Sequence, residues 1–109
     1  MATASIEVSG PNAERLAGEL QAALVKAIEP GNSVSPVEVE RSADLVIAVI
    51  GLVFSGIGTA GTIWDWWHGR RSEGVKVRIM LDDGAQVDLS GVDQKQLEIV
   101  LTRRTSSGH

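Results

Sequence analysis

Leu45-Val46-Ile47-Ala48-Val49-Ile50-Gly51-Leu52-Val53-Phe54-Ser55-Gly56-Ile57-Gly58-Thr59-Ala60-Gly61-Thr62-Ile63-Trp64 decides the fold, because no charge interrupts the chain between Asp44 and Asp65. Three readings compete for it. At a helical rise of about 1.5 Å per residue the run would reach about 30 Å, the thickness of a bilayer's hydrocarbon core, which makes it a transmembrane span. It also suits a buried helix in a small α+β domain. Finally, Gly56-Ile57-Gly58-Thr59-Ala60-Gly61 fits G-x-G-x-x-G, the pattern of a dinucleotide-binding turn.

The flanks discriminate among the three. For a dinucleotide site, Val75 to Leu81 would supply the second strand and Asp82 or Asp83 the acid for ribose hydroxyls. The Asp83-Gly84 turn instead returns the chain antiparallel, and too few residues remain for the other strands of a Rossmann half. For a membrane span, Trp64, Trp66 and Trp67 would form an interfacial belt and Arg70-Arg71 would mark the cytoplasmic side. Gly51, Ser55, Gly58 and Thr62 would then form a stripe of small residues suited to close helix pairing. Spanning, however, separates Ile6 to Val39 from the Val75 to Leu89 hairpin, leaving each side too few strands to bury an apolar face. The buried-helix reading lets every strand join one sheet. It must offset Gly51, Gly56, Gly58 and Gly61, each costing about 1 kcal/mol relative to alanine inside a helix. Close backbone approach would compensate, and a helix apolar all round predicts that another chain covers its outer face.

The remaining segments read locally. Ser5-Ile6-Glu7-Val8-Ser9 alternates as a half-buried strand ended by Gly10-Pro11. Asn12 then N-caps a helix with Leu16, Leu20, Ala23, Leu24, Ala27 and Ile28 on one face, stopped at Glu29-Pro30-Gly31. Ser33 to Ser35 is a polar connection, and Val37-Glu38-Val39-Glu40 a second strand. Val75, Val77, Ile79 and Leu81 share a strand face, Asp83-Gly84 turns the chain, and Ala85, Val87 and Leu89 continue the alternation. Asp93 and Gln96 form a capping box opening a short helix with Leu97, Val100 and Leu101 inward.

The expectation is therefore one α+β domain over residues 4–102. A small mixed or antiparallel sheet of about four strands packs with a long apolar glycine-rich helix and two amphipathic helices. Residues 103–109 form a disordered polar tail.

Composition narrows the functional classes. A net charge of -4 over 109 residues lacks the basic face that nucleic acid requires. The absence of cysteine removes disulfides, thiolate metal sites and a cysteine nucleophile, and agrees with a reducing cytoplasm. Met1 to Ser5 lack the basic start and apolar core of a signal peptide. His68 and His109 are the only histidines, so no histidine metal cluster is expected, and neither a nucleophile elbow nor a P-loop occurs. No catalytic, metal or cofactor residues are assigned. Asp65 is expected to pair with Arg70 or Arg71, and the tryptophans to anchor a protein partner.

Where Gly61-Thr62-Ile63-Trp64-Asp65-Trp66-Trp67-His68-Gly69-Arg70-Arg71 runs into Val75-Lys76-Val77-Arg78-Ile79 and the Asp83-Gly84 turn, the chain resembles the effector-associated constant component family of bacterial conflict systems. The resemblance spans Ile6 to Leu101 and rests on the order and pattern of elements. It implies a small non-enzymatic partner of effectors such as trypsin-like or caspase-like proteases, with no catalytic residues. The combined expectation is a cytoplasmic homo-oligomer that binds an effector protein and no nucleic acid. Gly51, Ser55, Gly58, Thr62, Trp64, Trp66, Trp67, Arg70 and Arg71 are its candidate association surface. The alternative is a small membrane protein inserted through residues 45–64.

Overall fold

The computed structural model describes residues 2–28, 31–42, 45–54 and 58–106. Along the chain lie β1 (Ala2–Ser9), α1 (Ala13–Lys26), β2 (Ser33–Val34), β3 (Glu38–Ser42), β4 (Leu45–Phe54), α2 (Gly58–His68), β5 (Lys76–Leu81), β6 (Gln86–Asp88) and α3 (Gln94–Ser106). Arg71–Glu73 and Leu89–Gly91 form 3-10 turns. Among the described residues the fold is α+β as expected, but its antiparallel sheet has six strands, and residues 45–54, expected to begin the long apolar helix, are strand.

The decisive stretch divides in two. Its first ten residues are strand β4 and its second part is helix α2. The physical reason lies in the side chains of the first half, where Val46, Ile47, Val49, Ile50 and Val53 are β-branched and Phe54 is aromatic, all favoured on a pleated surface. The split also relieves the glycine cost. Gly51 lies in the strand and Gly58 opens the helix, while Gly56 falls outside the described residues, so among the described glycines of this stretch it is Gly61 that bears the helix-interior penalty. No helix among the described residues is long and apolar enough to cross a membrane.

The sheet runs β2-β4-β1-β5-β6, with β3 also paired to β4 beyond β2. β1 is central and antiparallel to both β4 and β5, with Ile6 opposite Ile50 on one side and Ile79 on the other. β4 and β5 consequently point the same way, separated by β1 and joined through α2. β1 and β2 are likewise separated by β4 and joined through α1. Two such split β-α-β units make a ferredoxin-like arrangement, extended here by β6 and α3. A dinucleotide crossover needs adjacent parallel strands, and β1 occupies the place between them.

One face of the sheet holds the core. Ala4, Ile6 and Val8, Ala48, Ile50, Leu52 and Phe54, Val77, Ile79 and Leu81, and Val87 are all buried on it. Leu16, Leu20 and Leu24 of α1, Ile63, Trp66 and Trp67 of α2, and Leu97 and Leu101 of α3 cover them. At about 25 cal/mol per Å² of apolar area, each fully buried large side chain contributes roughly 1.5–3 kcal/mol, and this single layer is what holds the domain together.

Two local signals behave as read, and the ends of α1 differ from the expectation, with Ala27 and Ile28 exposed beyond its last turn. Gly84 has φ +90° at the Asp83-Gly84 turn, where Leu81 N–H donates to Ala85 O at 2.8 Å and closes the β5–β6 hairpin. The capping box is reciprocal: Gln96 N–H donates to Asp93 Oδ1 at 2.8 Å and Asp93 N–H to Gln96 Oε1 at 3.0 Å. Asn12 holds the N-cap position of α1 without a side-chain cap bond, and Ile28 lies beyond the helix, 40% exposed.

Candidate functional site

Strand periodicity puts alternate residues on the face of the sheet opposite the helices. The registers align Thr3 with Val53, Ser5 with Gly51 and Met80, Glu7 with Val49 and Arg78, and Ser9 with Ile47 and Lys76. Glu38 opposes Val49, Glu40 opposes Ile47, and Arg78 opposes Asp88. Crossing this face from the β3 edge, one meets acids, then the apolar stripe Ile47, Val49 and Val53, then hydroxyls and Glu7 on β1, then the bases Lys76 and Arg78. Leu45 extends the stripe and is 45% exposed.

Arg78 Nε lies 3.3 Å from Glu7 Oε2, an ion-pair distance without hydrogen-bond alignment, while Arg78 Nη1 donates to Gln86 Oε1 at 3.2 Å. Glu7 Oε2 is itself buried with no hydrogen bond. Glu7, Ser9, Ile47, Lys76, Arg78 and Asp88 line a shallow depression of about 260 Å³ on this face. Asp88 accepts hydrogen bonds from the hydroxyl and amide of Ser90, and these hold its carboxyl below the usual aspartate range. Glu38, Glu40 and Lys76 form no ion pair with another described residue.

Gly51 belongs to this face. Ser35 Oγ accepts from Gly51 N–H at 2.7 Å, Ser35 N–H donates to Gly51 O at 2.9 Å, and a Cβ at position 51 would stand 3.2 Å from Ser35 Oγ. The glycine lets Ser35 lie directly over β4, so its role is strand docking. Gly58 and Thr62 are on α2, and Ser55 is outside the described residues; the expected small-residue stripe along one helix therefore does not form.

The tryptophans separate by environment. Trp66 and Trp67 are buried within the chain's own core, at 4% and 5% exposure, whereas Trp64 is half-buried and stacks on His68 with centroids 6.5 Å apart. Trp66 Nε1 is buried without a hydrogen-bond partner, a cost of about 1–3 kcal/mol that its packing must offset. The Arg70 guanidinium sits 5.7 Å from the Trp66 ring centroid and donates to Trp66 O at 3.1 Å.

Arg70 pairs with Glu19 of α1, through Nη2 at 2.7 Å and Nε at 3.2 Å, instead of with the expected Asp65. Arg15 bonds Glu19 at 2.9 Å and Glu73 at 3.0 Å, extending a chain of charges that ties α1 to the segment after α2. The Arg70 hydrogen bond holds the Glu19 carboxyl below the usual glutamate range. The Arg71 side chain lies outside the described residues. Beside this end of α2, Trp64, Trp67, Val75, Lys76, Leu89 and Val92 line a second depression of about 450 Å³.

The open-face residues Ile47, Val49, Val53, Glu38, Glu40, Lys76 and Arg78 are the surface that sequence reasoning missed. The density of β-branched residues in β4 was the available signal. Among the described residues, no group of three or more histidine, cysteine or acidic side chains could hold a metal ion. Comparisons with protein-family models, with curated proteins and with solved structures find no match.

Proposed function

We propose that this domain is a non-enzymatic protein-interaction component of a bacterial conflict system, which associates with itself and docks an effector such as a protease. One observation carries the reading: among the described residues three helices cover one face of a six-stranded sheet, and on the other face of an interior strand Leu45 is exposed and Ile47, Val49 and Val53 are only partly buried. Apolar area contiguous with ordered charges is the composition of an interaction surface. The conflict-system setting comes from the resemblance of the Gly61 to Arg71 segment and the hairpin that follows it.

Two surfaces divide the work. The open sheet face serves self-association. The α2 end docks the effector, with Trp64 as a half-exposed aromatic anchor beside the depression shared with Val75, Leu89 and Val92. Trp66 and Trp67 support this end from within the core, and Arg70 fixes it to α1.

The test is co-expression of the tagged chain with each product of its neighbouring genes. A trypsin-like or caspase-like protease is expected to co-elute in stoichiometric amount, and Trp64→Ala to weaken that association at least about tenfold. If no such product co-elutes, or if Trp64→Ala leaves the complex unchanged, the effector-docking reading fails.

A further inference from the structure

We infer that the open sheet face is occupied by a second copy of this chain, related by a two-fold axis that runs along the strands between β4 and β1. This rests on the self-association reading above and adds its geometry. The argument comes from the order of charges across the face. Glu40, Ile47, Ser9 and Lys76 lie in one row, and Glu38, Val49, Glu7 and Arg78 in the next.

A two-fold axis between two stacked sheets can run across the strands or along them. Running across, it lays each strand over its own copy; because the acids and the bases share rows, it stacks acid on acid and base on base at the same time. Running along the strands between β4 and β1, it lays β3 over β5 of the partner. Glu40 then meets the partner's Lys76, and Glu38 meets the partner's Arg78. Both contacts occur twice by symmetry, as an isologous interface requires.

The same axis lays β4 over β1 of the partner, with Ile47, Val49 and Val53 over the partner's Ser9, Glu7 and Thr3, and sets each of them diagonal to its own copy, one strand spacing of about 4.8 Å to the side. Stacked sheets lie about 10 Å apart, a gap that extended glutamate and lysine side chains span together. Glu38, Glu40 and Lys76, which form no ion pair with another described residue, each gain one, and the apolar stripe leaves water.

The decisive experiment is a charge swap followed by sedimentation. Glu38→Lys with Glu40→Lys, and separately Lys76→Glu with Arg78→Glu, are each expected to raise the dimer dissociation constant at least about tenfold. Mixing the two variants restores opposite charges at all four contacts, and the mixture is expected to form a heterodimer about as tight as the wild type.

A second measurement does not depend on how reversals are tolerated. The chain has no cysteine, so Glu40→Cys with Lys76→Cys introduces the only thiols. Within one chain these positions are three strand spacings apart, about 14 Å, beyond disulfide reach. A short bifunctional thiol reagent, which bridges facing backbones about 10 Å apart across the interface but not the about 14 Å within one chain, is expected to give a covalent dimer from the double variant and none from Glu40→Cys alone. A wild type that stays monomeric at every concentration overturns the inference, as does a dimer insensitive to both reversals or a cross-link between two copies of Cys at position 40. None of these outcomes bears on effector capture through Trp64, so the two readings fail separately.

Discussion

The two sides of β4 are made of nearly the same residues and have different fates. Ala48, Ile50, Leu52 and Phe54 are at most 5% exposed, while Ile47, Val49 and Val53 on the alternate positions remain half-exposed. Residue type does not separate the two sides; their neighbours do. Ala48 lies between Val39 and Val8 and under the helices, whereas Val49 is flanked by Glu38 and Glu7. A strand apolar on both faces in a sheet covered by helices on one side is the feature from which the proposed dimer is argued.

The contrast is open to test by substitution, and the largest effect belongs to the core side. Phe54→Ala should remove about 3–5 kcal/mol of unfolding free energy, measured by urea denaturation at low protein concentration. A loss below about 1 kcal/mol would mean that the assignment of faces is reversed.

Gly51→Ala should cost about 1 kcal/mol despite alanine's better backbone entropy, because the new Cβ crowds a Ser35 hydroxyl already committed to the Gly51 amide. Combining it with Ser35→Ala should abolish the extra loss. Stabilisation by Gly51→Ala would show that Ser35 moves aside freely.

On the helical side, the Arg70 bond lowers the Glu19 pKa, so its contribution is present above the ordinary glutamate value of 4.5 and is lost as pH falls through the depressed folded-state value. Wild type should therefore lose more stability on acidification than Glu19→Gln does, with the two curves converging at low pH. Superimposable pH profiles would remove any energetic role from this partly solvated network. The smallest effect is reserved for the open face: Val49→Thr should change monomer stability by no more than about 0.5 kcal/mol. A loss comparable to that of Phe54→Ala would show that this side is already covered within one chain.

How much of this was readable in advance depended on the range over which each signal acts. The Asp93–Gln96 box, the Asp83-Gly84 hairpin and the leucine face of α1 are set by residues three or four apart, and all three appear in the structure. The β4–α2 boundary was not readable from hydropathy. With both alternating positions apolar between Val46 and Phe54, the period-two signal cancels, and the uninterrupted run imitates a helix. Ser33–Val34 is too short to announce a strand and exists through its pairing with Leu52 and Val53. The candidate site suffered from the same misreading. Trp66 and Trp67 looked like anchors for a partner but serve the interior, while Glu38, Glu40, Lys76 and Arg78 come together on one face only through a register that no local pattern encodes.

The central place of β1 has a kinetic consequence. Ser9 pairs with Ile47 on one side and Lys76 on the other, so both partners of this strand follow it in the chain by long intervals. Closing such loops costs chain entropy before any contact repays it. The β3–β4 and β5–β6 pairs are close in sequence and can form early, leaving β1 to join them afterwards. During synthesis Ile6 and Val8 therefore emerge before either flanking strand exists, and α1, the next element made, is the first surface available to shelter them.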